Sequence, residues 1–411
     1  MADMFNITKS RVLKGYRGKE TSIVLPDGTK KIGSLAFYMN SDIVSVTIPG
    51  CVTEIGEGAF YGCANLEKVI ILNGKGVSIK GDAFRDCKKL KVIEFPEKIK
   101  NIDETAFRGC LALADANGNI IVRDTLYEHI GENTQVSVDD GVKIIADEAF
   151  KWCESVENIV LPDGLEKIGE RAFCGCENLK KINIPDSVSE IGESAFAQCS
   201  SLADDKGYLI IRNSLFAFFG IDTDVVIPDS VEKIEPWAFN GCHTAVNVVI
   251  PDSVTEIGKN AFYRCGQLES ALLSCNLDKL PDGIFSGCSS LKNVKIPESV
   301  KEIDLLAFND CRSLTELIIP ESVTSIGESA FLSCENLSAL VLPENLEELG
   351  DGAFKMCESL KMIRIPKNVK SIGPNTFSRC SALETIEAPE HLRADIEKCY
   401  LKININYIWR R

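Results

Sequence analysis

Fourteen phenylalanines keep an almost fixed interval along this chain: Phe37, Phe60, Phe84, Phe107, Phe150, Phe173, Phe196, Phe239, Phe262, Phe285, Phe308, Phe331, Phe354 and Phe377. Eleven of the thirteen intervals are 23 or 24 residues, and two are 43. Thirteen of these phenylalanines have a cysteine three residues later; Phe37 has Asn40. A period of this length, held over most of 411 residues, predicts a solenoid in which each repeat forms one coil stacked on the next.

One good repeat, residues 303–327, shows how a coil is made. It carries Ala307-Phe308, Cys311, Leu314, Leu317, Ile319-Pro320, Val323 and Ile326-Gly327. This spacing is neither a sustained helical period nor strict alternation, and it suits a chain that turns corners while keeping one side inward. Leu317 and Ile319 are expected to point into the core from a short strand, with Ile318 facing out. Proline ends that strand in twelve of fifteen coils, because it has no N–H to give to a ladder. Val-x-x-Ile reads as a second extended segment, and Ala-Phe-x-x-Cys-x-x-Leu as a single helical or 3-10 turn. Glycine recurs four residues before Phe in eight of fourteen coils (Gly33, Gly56, Gly169, Gly192, Gly258, Gly327, Gly350 and Gly373). At a corner this predicts a positive φ.

The pattern Leu-x-x-Leu-x-Ile-Pro-x-x-Val-x-x-Ile-Gly-x-x-Ala-Phe-x-x-Cys resembles the BspA-like (Treponema pallidum-type) leucine-rich repeats over about residues 7–390. The resemblance implies a right-handed leucine-rich-repeat superhelix of β-rich coils with short helical or 3-10 turns. It also implies a role in protein–protein contact, often adhesion. The expected organisation is a solenoid over 1–387 and a C-terminal cap over 388–411.

The 43-residue intervals contain a different unit that occurs three times: Ile7–Leu13 with Gly18, Ile120–Leu126 with Gly131, and Leu209–Leu215 with Gly220. Each glycine lies 19 residues before the next periodic Phe. These read as hairpin-like coils that omit the Ala-Phe-x-x-Cys turn. One serves as an N-terminal cap at about 1–30, and the irregular coils fall at about 111–141 and 200–226. Such coils either bend or widen the stack locally, or stack without bending. In the C-terminal cap, 389–400 reads as a short helix with Leu392, Ile396 and Tyr400 on one side. Ile403, Ile405 and Tyr407 read as a last strand.

Seventeen cysteines suggest disulfides until their positions are considered. Thirteen occupy the Phe+3 slot, so stacking places them about 4.8 Å apart with parallel side chains. A disulfide needs converging Cβ atoms near 3.8 Å. The expectation is a ladder of buried free thiols, each a small apolar filler donating weakly to a turn carbonyl. Reduced thiols fit a reducing compartment. Residues 1–10 lack the apolar core of a leader, so the sequence as given reads as cytoplasmic; with a leader removed it would read as cell-surface or secreted. No apolar stretch is long enough to insert in a membrane.

The formal net charge of −15 speaks against a nucleic acid partner. An acid follows the strand-ending proline in ten coils, as at Asp252, Glu298, Glu321 and Glu344, and stacking would make a ridge attractive to a basic partner. Turn preference and solubility account for the same residues. The only histidines, His129, His243 and His391, lie in separate parts of the array, and no nucleophile or phosphate-loop motif is present. No catalytic residue, cofactor or metal is expected. Cys174-Gly175-Cys176 offers two thiols where zinc wants about four ligands, and Cys174 reads as an exposed thiol.

The reading is a non-enzymatic scaffold that binds a protein along its strand face, with a surface adhesin as the alternative. The binding candidates are the outward residues of successive strands: Val249, Leu272, Lys295, Ile318, Val341 and Arg364. Apolar members at solvent-facing positions mark a contact surface, although β-branched residues also simply suit strands.

Overall fold

The computed structural model describes residues 4–399 and 405–410. It divides into two compact units, Met1–Leu202 and Ala203–Arg411. Each unit is a stack of parallel coils in which residues 23 or 24 apart are ladder partners, as the Phe interval requires.

Regular coils contribute two short strands on different sides, except that residues 371–372 before Phe377 form no strand. In Met1–Leu202 the strands that precede the proline position form one ladder through Ser22–Val24, Ser45–Ile48, Lys68–Ile71 and Val92–Glu94. A second such ladder joins Gln135–Ser137, Asn158–Val160 and Lys181–Ile182. The Val-x-x-Ile segments pair likewise, for example Lys31–Ile32 with Glu54–Ile55. In Ala203–Arg411 the pre-proline strands are Asp224–Val226, Asn247–Val249, Ser270–Leu272 and Asn293–Lys295, then Glu316–Ile318 and Ala339–Val341, then Met362–Arg364 and Thr385–Pro389. Leu317 and Ile319 are buried and Ile318 is exposed, as the alternation predicted.

The three irregular units are antiparallel hairpins: Phe5–Ile7 with Val12–Tyr16, Asn119–Val122 with Thr125–His129, and Tyr208–Ile211 with Ser214–Phe218. Their turns are set by Arg11, Arg123 and Arg212, all at positive φ. The second strand of each pairs in parallel with the coil that follows, so each hairpin begins a new ladder.

The fourteen phenylalanines are all buried. Neighbouring rings within regular runs lie 4.6–6.2 Å apart between centroids, mostly near-parallel and offset by the coil spacing. The cysteines form the expected ladder of free thiols. Eleven of the thirteen donate to the carbonyl of the preceding coil's Phe at 3.0–3.3 Å, as Cys334 does to Phe308. The two others, Cys153 and Cys242, sit in the first coil after an internal hairpin and bond instead to the His129 carbonyl and the Thr244 hydroxyl, both at 3.6 Å.

Two local expectations are corrected. The glycines four residues before Phe do not have positive φ. They are small because the chain passes too close to the preceding coil: an added Cβ at Gly169 would lie 2.5 Å from the Asp147 nitrogen, and at Gly192 2.5 Å from the Gly169 carbonyl carbon. The positive φ values fall elsewhere, at all fourteen Phe+2 positions and twelve of the Phe−2 positions. The Ala-Phe-x-x-Cys turn therefore has i→i−3 bonds, such as Tyr38 N to Leu35 O, but alternates in φ and does not propagate as a helix. Between those bonds the N–H groups of Leu35, Phe37 and Met39 donate to Glu57, Ala59 and Tyr61 of the next coil.

At the C-terminal end a 3-10 turn, Glu390–Leu392, leads into a short helix, Arg393–Ile396, with Leu392 and Ile396 buried. Tyr400 and Ile403 lie outside the described residues. A last strand, Asn406–Arg410, runs parallel to Thr385–Pro389 and includes Tyr407, with Ile405 just before it.

Candidate protein-binding face

The pre-proline strands point every second side chain outward, so their last residues, such as Ile318 of Glu316–Ile318, build a column. The register places Val226, Val249, Leu272 and Lys295 side by side on successive strands, and Ile318 beside Val341. Arg364 is registered with Glu387. Relative exposure is 61% at Val226, 55% at Leu272, 82% at Ile318 and 71% at Val341, while Val249 is half-buried. Val226 was not among the sequence candidates. Its signal was available, since Pro228 follows it at the same distance as Pro320 follows Ile318.

The ladder stops at Asn293–Lys295 and restarts at Glu316–Ile318. At that step lies a groove of about 540 Å³ lined by Leu272, Asn293, Lys295, Glu316 and Ile318 among others. A second groove of about 520 Å³ lies on the side of Val249, Asp252 and Cys275, and shares Leu272, Lys295 and Glu298 with the first. Four of the six sequence candidates thus line two adjoining depressions.

The charges around the column are of two kinds. Arg364 is held between Glu344 at 3.0 Å and Glu387 at 3.4 Å, so its charge is already matched. Lys295, Glu298 and Glu321 form no ion pair among the described residues. Glu321 accepts the Glu344 N–H at 2.9 Å. Asp252 accepts the Cys275 N–H at 2.8 Å, and this hydrogen bond holds its carboxyl below the usual value. Asp252 and Glu321 therefore brace the next coil's turn as well as charging the surface.

Cys174, expected to be exposed, is buried, and burial pushes its thiol up; the exposed cysteine is Cys275. His391 bonds to the Val369 carbonyl at 2.9 Å and His129 to Asn119 at 2.8 Å, so both are tied to structural partners. Among the described residues no group of three or more His, Cys, Asp or Glu is placed to hold a metal, and no helix is long and apolar enough to cross a membrane.

The sequence model of the BspA type leucine-rich repeat region matches residues 16–123, 119–206, 209–317 and 301–409. This chain belongs to the BspA-type leucine-rich repeat family. Its fold, a β-solenoid of stacked parallel coils, is that of the family. Solved structures similar to this BspA-type chain include a leucine rich cell surface protein from Faecalibacterium prausnitzii A2-165, with 29% identity, 96% of this chain and 94% of that one covered, and a TM-score of 0.41. A leucine-rich repeat protein from Bacteroides ovatus ATCC 8483 is 27% identical over 99% and 98% of the two chains, with a TM-score of 0.45. The T. pallidum leucine rich repeat protein is 26% identical over 57% and 82%, with a TM-score of 0.26. The comparison with curated proteins gives no match.

Proposed function

We propose that this BspA-type protein is a non-enzymatic scaffold that binds a partner protein along the outward column from Val249 to Arg364. The observation that carries the reading is the set of open apolar side chains, Leu272, Ile318 and Val341, of which the first two line the groove where the ladder is interrupted and Leu272 also lines the groove beside it. The inward apolar positions of the same repeat are buried almost completely, and outward apolar residues are also open at Val24, Val160 and Val226. Strand preference accounts for Ile318 and Val341 but not for Leu272, which is not β-branched. A contiguous apolar patch edged by polar groups is the ordinary anatomy of a protein contact.

The edge charge favours a partner with basic side chains. Glu298 and Glu321 stand three residues beyond Lys295 and Ile318, and the chain's net charge is −15. Complementary charge of this kind sets orientation and encounter rate more than affinity.

The test is capture of partners from a native extract by the wild type and by a Leu272→Asp/Ile318→Asp variant, read by mass spectrometry. Partners lost from the variant, with its circular dichroism unchanged, support the face. The same partners retained by the variant remove it.

A further inference from the structure

The three hairpins share one plan, and the middle one departs from it at its most buried pair. Directly opposed across the strands are Phe5 and Tyr16, Asn119 and His129, and Tyr208 and Phe218. In the first and third hairpins the two rings meet at 4.9 and 5.1 Å. The second ring then lies against the first Phe of the stack, Tyr16 on Phe37 at 5.8 Å and Phe218 on Phe239 at 4.9 Å. In the middle hairpin His129 takes that place, stacked on Phe150 at 5.0 Å, and Asn119 replaces the outer ring.

Both polar side chains are shut away from solvent, Asn119 at 0% and His129 at 4% exposure. Asn119 Nδ2 donates to Asp115 Oδ2 at 3.4 Å, so its Oδ1 faces the imidazole and accepts from His129 Nδ1–H at 2.8 Å. That fixes the tautomer: Nε2 carries the lone pair, and it is buried without a hydrogen-bond partner. The backbone of His129 is tied to the next coil through its N–H to the Ala149 carbonyl at 2.7 Å and its carbonyl to the Cys153 thiol at 3.6 Å.

The groups facing the ring can be named. Burial disfavours a second proton and outweighs Asp115 and the Gly131 carbonyl, which favour one, so the imidazole is held below its ordinary value. Glu128 is turned away to the Gly109 N–H at 2.7 Å. The Cys153 thiol on the Phe150 coil is pushed up to about 11 by burial and stays neutral. The strand Asn119–Val122 presents only the neutral Asn119 amide.

We infer that the Asn119–His129 hairpin is an acid-sensitive joint: a proton on His129 Nε2 puts a charge between Phe150 and Asn119, in a place shaped for a neutral ring, and the hairpin loosens from the Phe150 coil. The direction follows from the shift. An unfolded histidine titrates near 6.5, and the folded one lower, so the joint's stability is complete above about pH 6.5 and is lost as pH falls toward the folded value. Within that window each pH unit raises the open population about tenfold.

The experiment is hydrogen–deuterium exchange of the full chain at pH 7.5 and 5.5, corrected for intrinsic rates. Peptides from 117–131 should exchange faster at the lower pH, by up to about tenfold, while peptides from 208–220 should not change. The variant Asn119→Tyr/His129→Phe, which installs the pair of the third hairpin, should abolish the difference. Equal exchange at the two pH values, or an undiminished difference in the variant, overturns the proposal. A second measurement needs no variant. With three histidines in the chain, the imidazole signals can be titrated in the wild type. His129 titrating below the ordinary histidine value of about 6.5 supports the joint, and His129 titrating at or above it refutes it.

Discussion

The indole of Trp152 covers Gly175 of the next coil so closely that an added Cβ would overlap the ring. Both residues have positive φ, 62° and 80°. Leu35 lies over Gly58, Met39 over Gly62 and Arg264 over Gly287 in the same manner. A large side chain at this corner leans along the stack, and the coil beyond must give way with a glycine. Gly175→Ala is therefore expected to destabilise the protein by roughly 1–3 kcal/mol, from overlap and from the left-handed backbone together. Adding Trp152→Ala to that variant should restore part of the loss in urea unfolding, because only the overlap is relieved.

Phe308 is buried midway along a run of stacked rings, with Phe285 at 5.6 Å and Phe331 at 5.2 Å. Phe308→Ala should cost about 3–5 kcal/mol. Phe308→Leu, which keeps most of the volume, should cost about half as much by the same measurement.

Thiol labelling should separate one cysteine from the ladder. Burial pushes the thiols of Cys199 and Cys380 up to about 12, and both donate to backbone carbonyls. Cys275 is exposed. A disulfide-forming reagent at pH 8 should therefore modify Cys275 first, and Cys275→Ser should remove the fast phase. Ladder thiols should react only as urea unfolds the coils. Rapid modification of several thiols in the native protein would contradict the ladder.

Glu148 accepts from Arg108 at 2.6 Å and from Lys151 at 2.6 Å. Burial opposes its charge, but these two hydrogen bonds and the two positive charges outweigh burial and hold its carboxyl below the ordinary value. Its contribution is present above the unfolded glutamate value and is lost as pH falls through the lower folded one. Glu148→Gln should lower stability at pH 7 by about 1 kcal/mol. The gap between variant and wild type should narrow in urea melts as pH falls below about 4.

The sequence disclosed the coils because their cores are spelled out by residue type: Phe, Cys and Leu fill the same positions repeatedly, and Ile318 against Leu317 and Ile319 shows which side is in. Corner geometry was hidden. The positive-φ positions hold Leu35, Trp152, Arg264 and Met356 alike, since hydrogen bonds between coils impose the angle and no residue type announces it. The glycine column misled for the converse reason, its smallness answering to a neighbouring backbone and not to φ. The outward column could be read by alternation, but not the ladder break beside Lys295 or the ion pairs that engage Arg364. The Asn119–His129 exchange becomes visible only once strand register aligns the three hairpins.

The bonds from Leu35, Phe37 and Met39 to Glu57, Ala59 and Tyr61 recur from coil to coil, always with the N–H forward and the carbonyl backward. Each regular run thus holds three parallel files of head-to-tail peptide dipoles, an arrangement otherwise associated with a helix axis. Along these files partial negative charge gathers on the coil of lowest residue number and partial positive charge on the coil of highest, while bonds on other sides of the coil, such as Gly56 N–H to the Ile32 carbonyl, run the opposite way. The hairpin N–H groups of His129 and Phe218, given to the Ala149 and Ala238 carbonyls, cap the middle file where two of these runs begin.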